Sequence, residues 1–397
     1  MKVDNHGVEF LWREARYRHH TSTFIPGFLT ADLRTDLLAA QGSHWILYSL
    51  ADGEVDSVID GYTTSLGVQT KIDYAPMSDS NVYESANQLV SYDDDVVAIT
   101  GHMPLVARVR TATGDLDEVS VSYRYGGLAV HKQGLGSLGF AWLETQDEQS
   151  GVVTRTDYFQ SVDSTEYVLN GMPINTEQTL NGQLLSSATN QLATRNTADG
   201  GVMGYIASAT EYGYQYTSAG QSVLRTSTQT TTFYDDYGNV TELSVHELDE
   251  STGVSKTTQT MSTYGDQRFG RLTHTTVTRA RSDDATVFTR ESSFIYRSDG
   301  LLIESVVAPN DAHYKLSPQF VYDGYGRKIT THESGVAQLG GTPQTRSSYV
   351  VYDSRGRYVN YKENHWGYRT TYRYNDMPAS SATGRVFKIT ETNTNGE

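Results

Sequence analysis

The hydrophobic and polar positions along this chain follow the period of extended backbone, not of helix. Runs such as Val240-Thr241-Glu242-Leu243-Ser244-Val245, Lys328-Ile329-Thr330-Thr331 and Arg271-Leu272-Thr273-His274-Thr275-Thr276-Val277-Thr278 are rich in β-branched residues, which suit a pleated surface. Alternation within them is weak, because Thr falls on both faces. A sandwich needs one clearly oily face per sheet. These runs instead predict a sheet with polar groups on both sides, lining a lumen or meeting water. Only residues 29–41 (LTADLRTDLLAAQ) carry a helical pattern, and Gly42 is expected to end it.

The strands are punctuated by a recurring Tyr-Asp-x-x-Gly unit. Its clear copies are Tyr234-Asp235-Asp236-Tyr237-Gly238, Tyr322-Asp323-Gly324-Tyr325-Gly326 and Tyr352-Asp353-Ser354-Arg355-Gly356. Degenerate copies fall at Tyr296-Arg297-Ser298-Asp299-Gly300 and around Tyr264-Gly265, and a last start is Tyr374-Asn375-Asp376. The tyrosines are 30, 32, 26, 30 and 22 residues apart, which suits hairpins with variable loops better than a strict solenoid. Asp at the first turn position accepts a hydrogen bond from the backbone two residues on, and Gly at the fourth supplies positive φ. The Tyr closes the preceding strand, its ring packed and its hydroxyl expected to stay wet. Each unit therefore reads as strand, tight turn, strand.

The N-terminal half reads as less regular strands broken at Asp60-Gly61, Ala75-Pro76-Met77-Ser78-Asp79, Thr113-Gly114-Asp115, Tyr125-Gly126-Gly127 and Asn181-Gly182. A Ser/Thr/Asn-rich stretch at 186–197 is expected to be a loop within a continuous array.

Composition supports an all-β chain: 28 Tyr, 11 Phe and 4 Trp stand in a sequence only 37% hydrophobic. The net charge of −16 excludes a nucleic-acid footprint and argues against adhesion to an anionic membrane. No cysteine is present, which removes disulfides, thiolate metal sites and Cys nucleophiles together. No apolar run is long enough to span a membrane, and MKVDNHGVEFLWREARYRHH has no signal-peptide core.

The order of these segments resembles a known family. GRLTHTTVT (270–278), FIYRSDGLLIESVVAPND (294–311), FVYDGYGRKIT (320–330) and YVVYDSRGRYVNYKENHWGYRTTYRYND (349–376) are similar to the YD-repeat succession of RHS proteins and of the B subunit of insecticidal Tc toxins. SYRYGGLAVHKQGLGSLGFAWLETQDEQSGVVTRTDYFQ (122–160) resembles the family segment in which Gly126-Gly127 lead to a Gly-rich stretch and Gly139-Phe140-x-Trp142; Leu135 stands where the family usually has Arg. TTSLGVQTKIDYAPMSDSNVY (63–83) resembles the entry to the shell. FLTADLRTDLLAAQGSHWILYSLADG (28–53) resembles a worn FG-GAP propeller blade that retains only Asp32 and Asp36 of the calcium register, so no calcium is expected.

The resemblance implies an all-β fold in which a YD-repeat β-hairpin array forms an open, curved sheet strip, part of a shell that encloses a toxic C-terminal polypeptide. It implies a blade remnant at 1–55, the N-terminal part of the shell at 56–225 and the YD array at 226–397. The implied partners are the remaining shell subunit or downstream polypeptide, the enclosed toxin and a translocation pore subunit. A bacterial protein assembled in the cytoplasm, then secreted or displayed without a visible signal peptide, is also implied. The chain is expected to be a fragment, too short to close such a shell, and not to fold alone, since an open strip leaves two unpaired edges prone to association.

No catalytic, cofactor or metal residue is assigned. The aspartyl self-cleavage motif of the RHS family has no counterpart before Glu397. Asp93-Asp94-Asp95, Asp235-Asp236 and Asp283-Asp284 read as turn residues, since a glycosidase or metal site needs acids converging in one cleft. Adjacent His19-His20 cannot easily share a metal, and His246, His274 and His332 read as strand positions. Gly134-Leu135-Gly136-Ser137-Leu138-Gly139 has dinucleotide-loop spacing but precedes a strand, not a helix. Asn239-Val240-Thr241 is an incidental sequon inside a turn. Two alternatives to a shell remain: a surface-displayed YD-repeat protein that binds carbohydrate or a neighbouring cell with Tyr-rich strand faces as stacking platforms, and a polysaccharide-active β-solenoid enzyme. Tyr-dependent glycan binding would mark the first, and convergent acids in a cleft the second.

Overall fold

The computed structural model describes residues 2–4, 7–9, 24–27, 36–41, 44–48, 58–86, 94–101, 103–113, 116–336, 341–374 and 386–393. Residues 29–35 of the expected helix, Asp32, Gly42, His19-His20, Asp93, Gly114-Asp115 and Asn375-Asp376 lie outside them. Among the described residues the chain is all-β, and no helix is long and apolar enough to cross a membrane. It divides into two compact units, Met1–Val162 with Asn170–Met172 and Gln178–Gly182, and Asp163–Leu169 with Pro173–Glu177 and Gln183–Glu397.

The first unit holds an antiparallel sheet in which Gln69–Pro76, Pro104–Thr113, Leu116–Gly126, Trp142–Asp147 and Val152–Tyr158 lie side by side. Val96–Ala98, Ala129–His131 and Gly136–Gly139 form a smaller sheet. Here the chain finds enough apolar residues for a core: Met77, Val82, Tyr83 and Leu105 are buried, with Tyr125 and Phe140 packed on them. The stretch 36–41 is a strand, Asp36–Gln41, paired with Phe24–Gly27 and His44–Tyr48. That corrects the helical expectation for these residues. A helical pattern spanning so few residues does not outlast strand pairing on both sides.

The second unit is a strip of fourteen strands from Gln183–Asn196 to Val386–Thr392, each antiparallel to the next in the chain. Among the described residues, the buried hydrophobic ones of this unit are Leu169 and Val306, so ladder bonds and cross-strand pairs hold it rather than a core. The stretch 186–197 is not the expected loop: Ser186 to Asn196 lie in a strand paired with Val202–Tyr216. Where both faces of a sheet are wet, Ser, Thr and Asn are strand residues, so polarity alone does not mark a loop.

The register shows which residues share a face. Thr231, Ser244, Gln259, Thr278 and Thr289 form one cross-strand row. The neighbouring row, Thr232, Leu243, Thr260, Val277 and Arg290, points to the opposite face. The first row is thus hydroxyl and amide, and the second mixes aliphatic, hydroxyl and guanidinium groups. The next row on the first face, Phe233, Glu242, Met261, Thr276 and Glu291, mixes aromatic, aliphatic and acidic groups.

Candidate functional site

The repeated turns are the candidate site, and their geometry starts at the Asp. Asp235 Oδ1 accepts the backbone N–H of Tyr237 and of Asn239, both at 2.9 Å, and Gly238 N–H donates to the Asp235 carbonyl at 3.1 Å. Asp323 repeats this, accepting from Tyr325 N at 2.9 Å, Arg327 N at 3.0 Å and Arg327 Nε at 2.7 Å. Asp353 accepts from Arg357 N and Tyr358 N at 2.6 and 3.1 Å, its turn closing one residue later. At the Tyr296 copy Arg297 replaces the Asp, and Asp299 instead holds the Arg297 guanidinium and the Leu301 N–H. The copy near Tyr264 is displaced: its turn is Gln267–Phe269 closed by left-handed Gly270, while Gly265 stays in the strand.

Hairpins of an antiparallel strip alternate between its two ends. Turns 235–238, 267–270, 297–300, 323–326 and 353–356 therefore all lie at one end, a repeat being two strands and two turns. Along this rim each turn touches the next. A Cβ on Gly356 would lie 2.0 Å from Arg327 Nη1, on Gly300 2.3 Å from Arg271 Nη2, on Gly270 2.9 Å from Asn239 Oδ1, and on Gly326 3.5 Å from Leu301 Cδ1. In every case the contacting residue directly follows the previous turn's glycine. Arg327 is further fixed by Asp323 at 2.5 Å and by the Tyr325 and Tyr352 rings, 4.9 and 4.5 Å from its guanidinium carbon. Asn239 Nδ2 donates to the Gln267 carbonyl at 2.6 Å, and Arg195 bonds the Tyr234 carbonyl and Asp236.

The tyrosines complete the link. Tyr264 OH donates to Val240 O at 2.9 Å, Tyr322 OH to Leu302 O at 2.7 Å and Tyr374 OH to Val359 O at 3.0 Å. These hydroxyls are bound to the preceding repeat, which corrects the expectation that they stay wet; each reaches a carbonyl two or three residues past the earlier glycine. Tyr322→Phe is expected to cost about 1 kcal/mol, the value of one such bond, measured as a shift in urea midpoint. No shift would mean that the ring alone carries the contact.

Hydrogen bonds hold the turn carboxylates below the ordinary range. The Arg297 guanidinium takes Asp299 from 3.8 down to about 2. Asp323 is lowered chiefly by Arg327, and Asp353 by the Tyr358 N–H. For Asp235 burial pushes upward, but the Asn239 and Tyr237 bonds outweigh it. A depressed carboxylate contributes stability above its unfolded value and loses it as pH falls toward the folded one. The strip's thermal midpoint is therefore expected to fall between pH 3.8 and about 2, the range set by Asp299; a midpoint flat across that range would contradict the role of these turns.

Sequence reading missed copies in which Thr or Asn replaces Asp. Thr64-x-x-Gly67, Thr197-x-x-Gly200, Thr217-x-x-Gly220 and Asn364-x-x-Gly367 close with the same backbone pattern. Their Thr Oγ1 or Asn Oδ1 accepts the N–H four residues on, at 3.0–3.2 Å. The signal was available as a short acceptor followed three residues later by Gly.

The second set of residues, Gly126, Gly127, Gly139, Phe140 and Trp142, converges in the first unit. Gly126 and Trp142 are cross-strand partners, and a Cβ on Gly126 would lie 2.1 Å from the indole. Trp142 is 8% exposed, with the Arg155 guanidinium 4.3 Å from its ring centre. Gln160 Nε2 bridges the carbonyls of Gly127 and Gly139 at 3.2 and 2.7 Å. Phe140 lies 5.1 Å from the Tyr125 ring and 6.4 Å from Tyr83, and burial, with Tyr123 nearby, pushes the Tyr125 hydroxyl up to about 12. This is a packing node with no nucleophile or acid pair in it.

The acidic pairs remain apart. Asp283 binds Arg281 and Asp284 caps Thr286 N–H. His246, His274 and His332 each face a hydroxyl, of Thr257, Thr276 and Ser347. Among the described residues no three His, Cys, Asp or Glu are grouped to hold a metal. Gly136–Gly139 is a strand, followed by the strand Trp142–Asp147.

Neither a family model nor a curated protein sequence matches the chain. Solved structures do. TcdB2-TccC3 without its hypervariable C-terminal region matches with a TM-score of 0.54 at 10% identity, over 90% of this chain and 25% of that chain. The Photorhabdus luminescens Tc holotoxin pore, bearing a TccC3 mutation, matches with a TM-score of 0.54 at 10% identity, over 92% and 24%. TcdB2-TccC3 itself matches with a TM-score of 0.54 at 9% identity, over 90% and 26%. The chain thus has the fold of part of a Tc toxin TcdB2-TccC3 chain and spans about a quarter of the length of those chains.

Proposed function

We propose that this chain is a wall segment of a bacterial RHS/Tc-type toxin shell, which encloses a toxic polypeptide and helps deliver it. The observation that carries the reading is the rim, where each turn is seated on the one before it, in a strip with almost no buried core. Such a sheet extends by adding hairpins, so its length is not limited by the volume of a core. The Tc fold supports the same reading at coarser grain. On this proposal the segment is not an enzyme. Its partners are the rest of the shell, the downstream polypeptide it encloses and a translocation pore subunit, with assembly in the cytoplasm before release.

Protease protection tests enclosure. The chain is expressed in its full reading frame with its shell partner, and the downstream polypeptide is expected to resist trypsin until the shell is unfolded by acid or urea. Cleavage at the rate of the free polypeptide would reject enclosure.

A further inference from the structure

We propose that the outer edge of the strand Asp284–Tyr296 pairs with the same edge of a second copy of this chain. The strip narrows abruptly at this strand, which has 13 residues where its neighbour Leu302–Val307 has 6. Pairing between the two begins at Ser292 opposite Val307, and among the described residues no strand pairs with 284–290 on that side. Ala308 N–H donates to the Glu291 carbonyl at 2.8 Å, so Glu291 turns its backbone toward the open side. By strand alternation Ala285, Val287 and Thr289 turn their N–H and C=O groups the same way, into solvent. All residues from 284 to 290 are exposed, Val287 at 58% and Phe288 at 66%. The segment Asp-Ala-Thr-Val-Phe-Thr-Arg is β-prone, has no net charge and carries no Lys or Pro to block an edge. The register shift between Arg279 and Arg281 falls on the inner side, where Asp284 Oδ1 takes the Thr286 N–H at 2.8 Å.

A second copy is the occupant because this edge is complementary to itself. In an antiparallel pair about a two-fold axis, free residues must meet free residues to exchange their N–H and C=O groups. Centring the axis on Val287 satisfies all three, with Val287 opposite Val287 and Ala285 opposite Thr289. The same register sets Thr286 against Phe288 and the exposed Asp284 against the exposed Arg290, twice by symmetry. A centre one residue either way separates these charges. It also leaves Thr289 at the turn, or sets Ala285 against Glu291, whose carbonyl is already taken. Main-chain bonds thus supply the affinity, while the charges fix the register and the partner. The proposal is independent of whether the strip encloses a cargo.

The test is sedimentation velocity of the full chain over a range of concentrations, with hydrogen exchange at the same concentrations. A reversible dimer is expected, and the amides of Ala285, Val287 and Thr289 should gain protection as it forms. Val287→Pro removes an outward donor and no inner ladder bond, so it should abolish the dimer with circular dichroism unchanged. Arg290→Glu and Asp284→Lys each set like charges against one another and should weaken self-association by about tenfold or more. An equal mixture of these two variants restores opposite charges at both junctions and should dimerise as the parent chain does. A chain that stays monomeric, a dimer that survives Val287→Pro, or a mixture no tighter than either variant alone would each overturn the proposal.

Discussion

Trp142→Ala is expected to destabilise the first unit by about 3–5 kcal/mol, the cost of deleting a buried indole. The ring fills the space over Gly126 on the neighbouring strand, where no side chain replaces it, and stacks under Arg155. Gly126→Ala approaches the same contact from the other side. A methyl 2.1 Å from the indole has no room, and overpacking of this kind costs about 1–3 kcal/mol. The two substitutions should be strongly coupled, since without the indole the alanine meets no obstacle. Hydrogen exchange along Leu116–Gly126 reads the effect locally, which matters in a chain of two units. Additive losses in the double variant would mean that Gly126 is required for some reason other than Trp142.

Gly356→Ala is the corresponding change on the rim, expected to cost about 2 kcal/mol or more. Part arises because Gly356 has φ of 67°, where an L-residue pays about 1–2 kcal/mol. The rest comes from displacing the Arg327 guanidinium, which Asp323 and two tyrosine rings hold in place. Arg327→Ala should remove the second part and leave the first, so Gly356→Ala is expected to cost less in that background. The same penalty in both backgrounds, read by urea denaturation, would show that neighbouring turns are not seated on one another.

The turns were legible because their chemistry is local. Asp235, Asp323 and Asp353 bond to N–H groups within five residues, so spacing alone revealed them. Their links along the rim were not, because Arg327 meets Gly356 across a whole repeat and no spacing rule covers that contact. Tyr322 was placed correctly at a strand end, but its hydroxyl partner lies twenty residues upstream, out of reach of a local reading. The stretch 186–196 failed for a different reason. Polarity marks a loop only where strands have a dry face, and this strip has none. Residues 36–41 show the limit of periodicity in a short segment, where pairing with two flanking strands decides the outcome.

The central claim is that this strip forms part of the wall of a hollow particle. Electron microscopy of the full-length product, purified with its shell partner, tests it most directly. A hollow particle walled by a single β-sheet layer is the expected result, with the Tyr-Asp-x-x-Gly turns aligned along one edge of the strip. A solid, compact particle with no interior space would contradict it.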